Sequence, residues 1–111
     1  MNYYQSWFNL LDSRKDLEFV NNANAYLSFL QKKGYIENFR ITRRKFGFGP
    51  AEIGEFSIEI GIKNLAQLDE SFLFVATREP EIEKLHAGIY TMVKDVKFAL
   101  YRDFPDEVRQ H

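Results

Sequence analysis

The stretch EFSIEIGIK, residues 55–63, carries the clearest structural signal in the sequence. Its apolar residues Phe56, Ile58, Ile60 and Ile62 alternate strictly with polar residues or glycine. Because successive side chains of a β-strand point to opposite faces, a period of two predicts a strand with one face in the core and one polar face.

Upstream of this stretch, the pattern predicts a strand, a helix and a second strand. Residues 3–10 carry large aromatic side chains at odd and even positions, so we expect a strand covered on both sides. Residues 15–33 have apolar side chains at helical spacing, with Ser13 or Asp16 as the N-cap. A second strand over residues 35–45 precedes the glycine-rich residues 46–54, which predict a long connection.

Downstream, Asn64 is predicted to cap a helix over residues 65–77, and Pro80 to open another. Residues 95–102 alternate as a strand does, but their apolar side chains also continue the preceding helical stripe, so strand is favoured and helix is the alternative. The predicted apolar stripes of the three helices are Leu17, Val20, Ala23 or Asn24, Leu27 and Leu30; Leu65, Leu68, Phe72 and Val75; and Ile82, Leu85, Ile89 and Met92 or Val93.

The composition narrows the class of protein. A chain of 111 residues fits a single domain over residues 1–111, and the absence of cysteine excludes disulfides and thiolate metal sites. No apolar run is long enough for a membrane span and no signal peptide is recognised, so we expect a cytoplasmic protein that does not enter membranes. A formal net charge of −1 argues against nucleic-acid binding. Aromatic residues make up 16% of the chain, which indicates a generous core, a partner surface or a pocket.

The predicted order β-α-β-β-α(α)-β indicates an α+β class with a ferredoxin-like fold, in which helices cover one face of a four-stranded antiparallel sheet. The other face carries aromatic and aliphatic candidates from the first and last strands. Monomers seldom expose a large apolar patch, so we expect two copies to pair face to face as a homodimer.

Three segments carry a family resemblance: YQSW at residues 4–7, TRRKFGFGP at residues 42–50 and LYRDFPD at residues 100–106. On these the chain resembles a small family of uncharacterised proteins and, by topology, the dimeric α/β-barrel superfamily. The resemblance implies a ferredoxin-like domain that dimerises into an α/β barrel. The superfamily includes cofactor-free monooxygenases, haem-using enzymes, polyketide cyclases and members without known chemistry, and a fold does not choose among these.

His86 is the candidate catalytic residue, because haem-using superfamily members place a ligand histidine on a helix facing the sheet. A neutral imidazole can serve as an axial ligand or a general base. The alternative is a hydrogen-bonded, partly exposed helix histidine. Glu83 and His86 match one Glu-x-x-His motif, but di-iron sites need two, so no metal is expected.

Two further groups are candidates for a ligand site. Arg40 and Arg44, with Arg43 and Lys45, suggest an anion site beside glycines, or alternatively charges that pair with Glu37, Glu55 or Glu59 on neighbouring strands. An aromatic group suggests a pocket for a flat ligand, or alternatively a core and dimer interface rich in aromatic residues. Its members are Tyr3, Tyr4, Trp7, Asn9, Tyr101 and Arg102.

Two functions follow from these candidates. The first is a homodimeric module that binds an apolar or aromatic small molecule or another partner without catalysis. The second is an oxygenase-like enzyme for such a molecule. It would be cofactor-free or, as a weaker alternative, haem-dependent; no cofactor is expected. An enzyme needs an internal cavity of several hundred Å3 with converging polar groups, whereas a module can be solidly packed.

Overall fold

The computed structural model describes residues 1–106, 108 and 109. Its helices and strands follow the predicted order. They are β1 (Asn2–Leu10), α1 (Asp16–Lys32), β2 (Asn38–Arg43), β3 (Phe56–Ile62), α2 (Leu65–Ala76), α3 (Pro80–Tyr90) and β4 (Val93–Arg102).

The strands form one antiparallel sheet in the order β2-β3-β1-β4. β1 lies between β3 and β4, with Tyr4 opposite Ile60 on one side and Leu100 on the other. This arrangement confirms the predicted ferredoxin-like α+β fold.

The two faces of the sheet are used differently. Phe8 and Leu10 of β1 and Ile58 and Ile62 of β3 are buried beneath the helices, together with Phe19 of α1. The alternate residues of the same strands point to the other face, which no helix in the described part of the chain covers. We call this second surface the open face. Its residues are Tyr3, Gln5, Trp7, Asn9, Asn38, Arg40, Thr42, Ser57, Glu59, Gly61, Lys97, Ala99 and Tyr101.

The ambiguous C-terminal segment is a strand, which confirms the favoured prediction, and it begins at Val93 rather than Asp95. Pairing with β1 supplies the backbone hydrogen bonds that a further helical turn would have supplied. The register shifts between Trp7 and Asn9, and Asp95 opposite this shift has a φ of 55°. A bulge of this kind breaks the alternation that sequence periodicity relies on.

The residue predicted to cap the N-terminus of α1 is wrong. Asp12, not Ser13 or Asp16, caps a short 3-10 turn over Ser13–Lys15 by accepting a hydrogen bond from the Arg14 N–H, and α1 continues from it. By contrast, the Asn64 cap of α2 is confirmed, since its Oδ1 accepts from the Gln67 N–H at 2.9 Å.

The predicted apolar stripes are partly wrong. Leu17, Leu65 and Phe72 are exposed, whereas Gln67 and Ser71 are buried in α2. Gln67 is buried because its side chain binds the backbone of Lys63 and Gly34 at 2.7 and 3.0 Å, which satisfies polar groups where α2 meets the chain before β2. Periodicity alone does not detect such a polar bridge.

β2 is shorter than the predicted residues 35–45. Ile36 is buried and Tyr35 stacks on Phe74 with ring centroids 4.4 Å apart, so both pack against the helices before the strand begins.

No helix of the described residues combines the length and the hydropathy that a bilayer crossing requires.

Candidate functional site

A cavity of about 320 Å3 lies between the sheet and the helices. β1 and β3 supply its floor, and α1, α2 and α3 supply its walls. The lining is mostly apolar, with uncharged polar groups at a few positions. The lining residues are Tyr4, Tyr26, Leu30, Ile36, Ile60, Leu68, Ser71, Phe72, Val75, Ala76, His86 and Tyr90.

Tyr4 enters the cavity from the floor. It lies on the same side of β1 as the buried Phe8, whereas its neighbours Tyr3 and Gln5 point to the open face. Its ring stacks on Phe98 at 5.4 Å and meets the edge of Phe72 at 5.5 Å. Phe72 lines the cavity and is about half exposed, at 49%, so the cavity opens to solvent beside its ring.

His86 enters from α3 and is held by two tyrosine rings. It stacks on Tyr90 with ring centroids 4.2 Å apart, and the Tyr26 ring stands edge-on at 5.9 Å. His86 and Tyr90 are four residues apart on α3, so one helix face presents both rings.

The electrostatics of the cavity follow from burial. Burial lowers the pKa of His86, opposed by the nearby Glu83, so the imidazole is neutral at pH 7. Burial raises the pKa of Tyr26 and of Tyr90, and the neighbouring phenols raise that of Tyr26 further. Burial likewise raises the pKa of Tyr4. The cavity therefore presents protonated phenols as hydrogen-bond donors and a neutral imidazole as an acceptor.

The structure divides the predicted site residues between the two sides of the sheet. Tyr4 and His86 come together in the cavity. Trp7, Asn9 and Tyr101 lie on the open face, one layer away from it. The expectation of one pocket containing all of them does not match this geometry, because adjacent residues of a strand point in opposite directions.

The two predicted anion-site arginines are engaged within the chain. Arg40 on the open face pairs with Glu59 on the neighbouring strand at 3.4 Å. The Arg44 Nη2 group donates to the carbonyl oxygens of Pro50 and Ile53 at 2.9 and 2.8 Å. Arg43 also pairs with Glu55, at 3.1 Å. These contacts correspond to the alternative in which the arginines serve the hairpin.

Sequence reasoning missed Tyr26, Tyr90, Ser71 and Phe72 as cavity residues. Phe72 was assigned to the core stripe of α2, and neither helical tyrosine was singled out. The residue type of Tyr26 and Tyr90 could have indicated the cavity. A tyrosine on the inward face of a helix needs a hydrogen-bond partner or solvent for its hydroxyl group.

The cavity is too small to enclose a haem group. Its volume is about twice that of a roughly 150 Å3 cavity that holds one benzene ring, whereas haem contains four pyrrole rings in one plane. The His86 ring is also stacked on Tyr90. Among the described residues, no group of three or more His, Asp or Glu side chains is placed to hold a metal ion.

Comparison with solved structures shows the same fold at low sequence identity. A dimeric protein of unknown function and ferredoxin-like fold from Bacteroides fragilis is 16% identical, with a TM-score of 0.63 over 92% of this chain and 95% of that chain. A dimeric ferredoxin-like protein of unknown function from Jannaschia is 11% identical, with a TM-score of 0.67 over 92% and 98%. A mutant of SnoaB, a cofactor-independent oxygenase from Streptomyces nogalater, is 7% identical, with a TM-score of 0.68 over 95% and 97%.

No curated protein matches the chain. A family of unknown function, DUF6614, matches it over residues 1–111. The chain therefore belongs to this family of unknown function.

Proposed function

We propose that the protein is a homodimer that binds a neutral, flat, apolar or aromatic small molecule in the cavity between its sheet and helices. The observation that carries the proposal is the cavity lining, which combines aromatic walls with phenol and imidazole groups. As far as the structure describes the chain, no charged side chain lines the cavity.

The lining selects for an uncharged ligand. Burying an ion without a partner of opposite charge is costly, and the cavity offers none to a carboxylate, a phosphate or an ammonium group. The phenols of Tyr26 and Tyr90 can donate hydrogen bonds to a carbonyl or hydroxyl oxygen, and neutral His86 can accept one. A ring compound with one or two oxygen substituents fits these groups.

The size of the cavity limits the ligand to about two fused rings. A volume of about 320 Å3 lies at the lower end of the usual range for small-molecule pockets. The half-exposed Phe72 in the lining allows a longer molecule to protrude beside its ring.

The homodimer is supported by the open face. It carries Tyr3, Trp7 and Tyr101, and no element of the described chain covers it. Two solved proteins of the same fold are described as dimeric, which adds support for pairing of this kind.

A second candidate is an enzyme in which His86 acts as a general base. Its burial keeps the imidazole neutral, and the neighbouring phenols of Tyr26 and Tyr90 can stabilise an oxyanion formed when a phenolic substrate loses its proton to His86. The likeness of fold to a cofactor-independent oxygenase supports only the architecture.

Binding of 2-naphthol, a neutral two-ring phenol, tests the proposal by calorimetry, with naphthalene-2-sulfonate as the charged control. We expect 2-naphthol to bind and the sulfonate not to bind. Ala76→Trp should abolish binding because Ala76 lines the cavity, whereas Ala66→Trp on the same helix should retain it. Absence of 2-naphthol binding, or equal binding by both variants, would contradict the proposal.

The same probe separates binding from base chemistry. If His86 acts as a base, bound 2-naphthol transiently loses its proton and exchanges its C1 hydrogen in D2O faster than free 2-naphthol does, and His86→Phe removes this acceleration. Binding without accelerated exchange would favour the non-catalytic module.

A further inference from the structure

The connection between β2 and β3 exposes two phenylalanine rings. Phe46 and Phe48 are 82% and 81% exposed, and their ring centroids lie 6.5 Å apart in an edge-to-face arrangement. We call Phe46 and Phe48 the hairpin tip. Within the part of the chain that the structure describes, the fold buries neither ring.

The loop that carries the hairpin tip is rigidly built. The Arg44 guanidinium donates to the carbonyl groups of Pro50, Ile53 and Gly54 at 2.9, 2.8 and 3.3 Å, which ties the returning chain to the end of β2. Gly49 lies against the same guanidinium, where a Cβ would be 2.6 Å from Arg44 Nε. A loop braced in this way loses little entropy when it binds.

The backbone at the hairpin tip is strained. Phe46 has a φ of 57°, a left-handed conformation that costs a non-glycine residue free energy, and Gly47 follows with a φ of 68°. Strain of this kind persists where the surrounding structure imposes it, and it is common at ligand clamps and functional sites. Here it holds a large apolar ring out in solvent.

The charges around the hairpin tip favour a protein partner over a lipid surface. Each free basic residue near an anionic membrane contributes only about 1 kcal/mol. The arginines beside the tip are already engaged within the chain, and Lys45 lies over the ring of Phe46 at 5.3 Å. The engaged pairs are Arg40–Glu59, Arg43–Asp16 and Arg43–Glu55.

The loop is also continuous with the open face. Asn9 Oδ1 accepts from the Glu55 N–H at 2.9 Å, and the Lys97 ammonium donates to the Glu52 carbonyl. Asn9 and Lys97 both belong to the open face. The returning half of the loop therefore forms the end wall of the open face.

The area of the open face indicates what the tip adds. Four strands of about eight residues, spaced about 4.8 Å apart with about 3.3 Å per residue, give roughly 500 Å2 of flat surface. A standard interface buries about 800 Å2 of accessible surface per partner. The rings of Phe46 and Phe48, each able to bury roughly 150 Å2 or more, add to the surface that a partner can contact beyond the sheet itself.

We propose that the hairpin tip is a clasp for a second copy of this chain, in which Phe46 and Phe48 of each protomer pack against the partner while the open faces meet. This inference rests on the homodimer of the proposed function and is independent of the cavity ligand. It assigns one occupant, a second copy of this chain, to both the open face and the hairpin tip.

Sedimentation velocity across a dilution series tests the clasp, with fluorescence of Trp7, the only tryptophan, as a reporter of the open face. We expect the Phe46→Ser/Phe48→Ser variant to dissociate at concentrations roughly a hundredfold higher than the wild type. Its Trp7 emission should shift to the red at those concentrations. The control is Leu17→Ser/Leu73→Ser, which changes residues 74% and 62% exposed on the helices and should dimerise as the wild type does.

The outcomes separate the two proposals. A wild-type dimer whose dissociation is unchanged in the tip variant overturns the clasp and leaves the homodimer. A wild-type monomer at every concentration overturns both, and cavity binding of 2-naphthol is then judged by its own measurement. Binding of the wild type, but not of the tip variant, to vesicles of phosphatidylserine and phosphatidylcholine would overturn the clasp and assign the tip to a lipid surface. A circular dichroism spectrum like that of the wild type confirms that each variant is folded.

Discussion

The helix-covered face and the open face are built from alternate residues of the same strands, yet they differ in character. Beneath the helices, Phe8, Ile58 and Ile62 are buried and apolar. On the open face, Gln5 and Glu59 face each other in register and stay partly exposed. The covered face thus contributes the core and the cavity, while the open face is free for association. Because neighbouring residues serve opposite faces, one chain can specify both surfaces independently.

The largest expected effect separates a phenylalanine of the core beneath the helices from a phenylalanine of the hairpin tip. Phe19→Ala should lower the free energy of unfolding by about 3–5 kcal/mol, because the ring is fully buried and its loss leaves a cavity. Phe48→Ala should change it by no more than about 0.5 kcal/mol in the monomer, since that ring is exposed. Urea denaturation at concentrations below dimer formation measures both, and similar losses would mean that the hairpin tip is part of the core.

A smaller difference is expected between two glutamines. Gln67→Ala should cost about 1–3 kcal/mol, because it leaves the Lys63 N–H and the Gly34 carbonyl without their partner where the chain is part-buried. Gln5→Ala on the open face removes one hydrogen bond, of 3.3 Å to Ser57, and should cost less than about 1 kcal/mol. Thermal unfolding of the two variants ranks them, and a larger loss for Gln5→Ala would contradict the bridging role of Gln67.

The smallest expected effect is a pH dependence from His86 in the cavity. Burial lowers the pKa of His86, so the unfolded chain takes up a proton more readily than the folded one. Its contribution to stability is therefore complete above about pH 6.5 and decreases as the pH falls from there toward the folded-state pKa. His86→Gln should show a shallower loss between pH 7.5 and 5.5 in urea denaturation.

Glu83 provides the matched control for this titration. It raises the pKa of His86 against the effect of burial, so Glu83→Gln should lower that pKa further and steepen the loss of stability toward acid. Equal pH profiles for the wild type, His86→Gln and Glu83→Gln would show that the imidazole is not desolvated in the folded protein.

The candidate site was only half predictable, and the reason is geometric. Tyr4 and Trp7 are three residues apart and both aromatic, so the sequence favours placing them together. The pleat of β1 sends Tyr4 into the cavity and Trp7 to the open face. Tyr26 and Tyr90 join His86 only because α1 and α3 pack side by side, which brings residues 64 positions apart in the chain into one aromatic group.

The same distinction applies to the helix stripes. Phe72 has the spacing of a core residue and is half exposed at the cavity mouth, while Ser71 beside it is buried. The Ser71 hydroxyl has the carbonyl oxygens of Tyr35 and Gln67 within reach as acceptors for its single O–H. A polar side chain is expected to be exposed only when no hydrogen-bond partner is available in the interior. The Tyr35 carbonyl lies 36 residues from Ser71 in the chain, so a local sequence pattern does not reveal it.

By itself, the sequence determined the order of helices and strands, the alternation of β3 and the Asn64 cap of α2, because these depend on spacing and on hydrogen bonds within a few residues. The tertiary structure decided which face each aromatic side chain serves and which residues line the cavity. These features depend on contacts between distant segments, whose free energy is gained only once the sheet and helices have packed together.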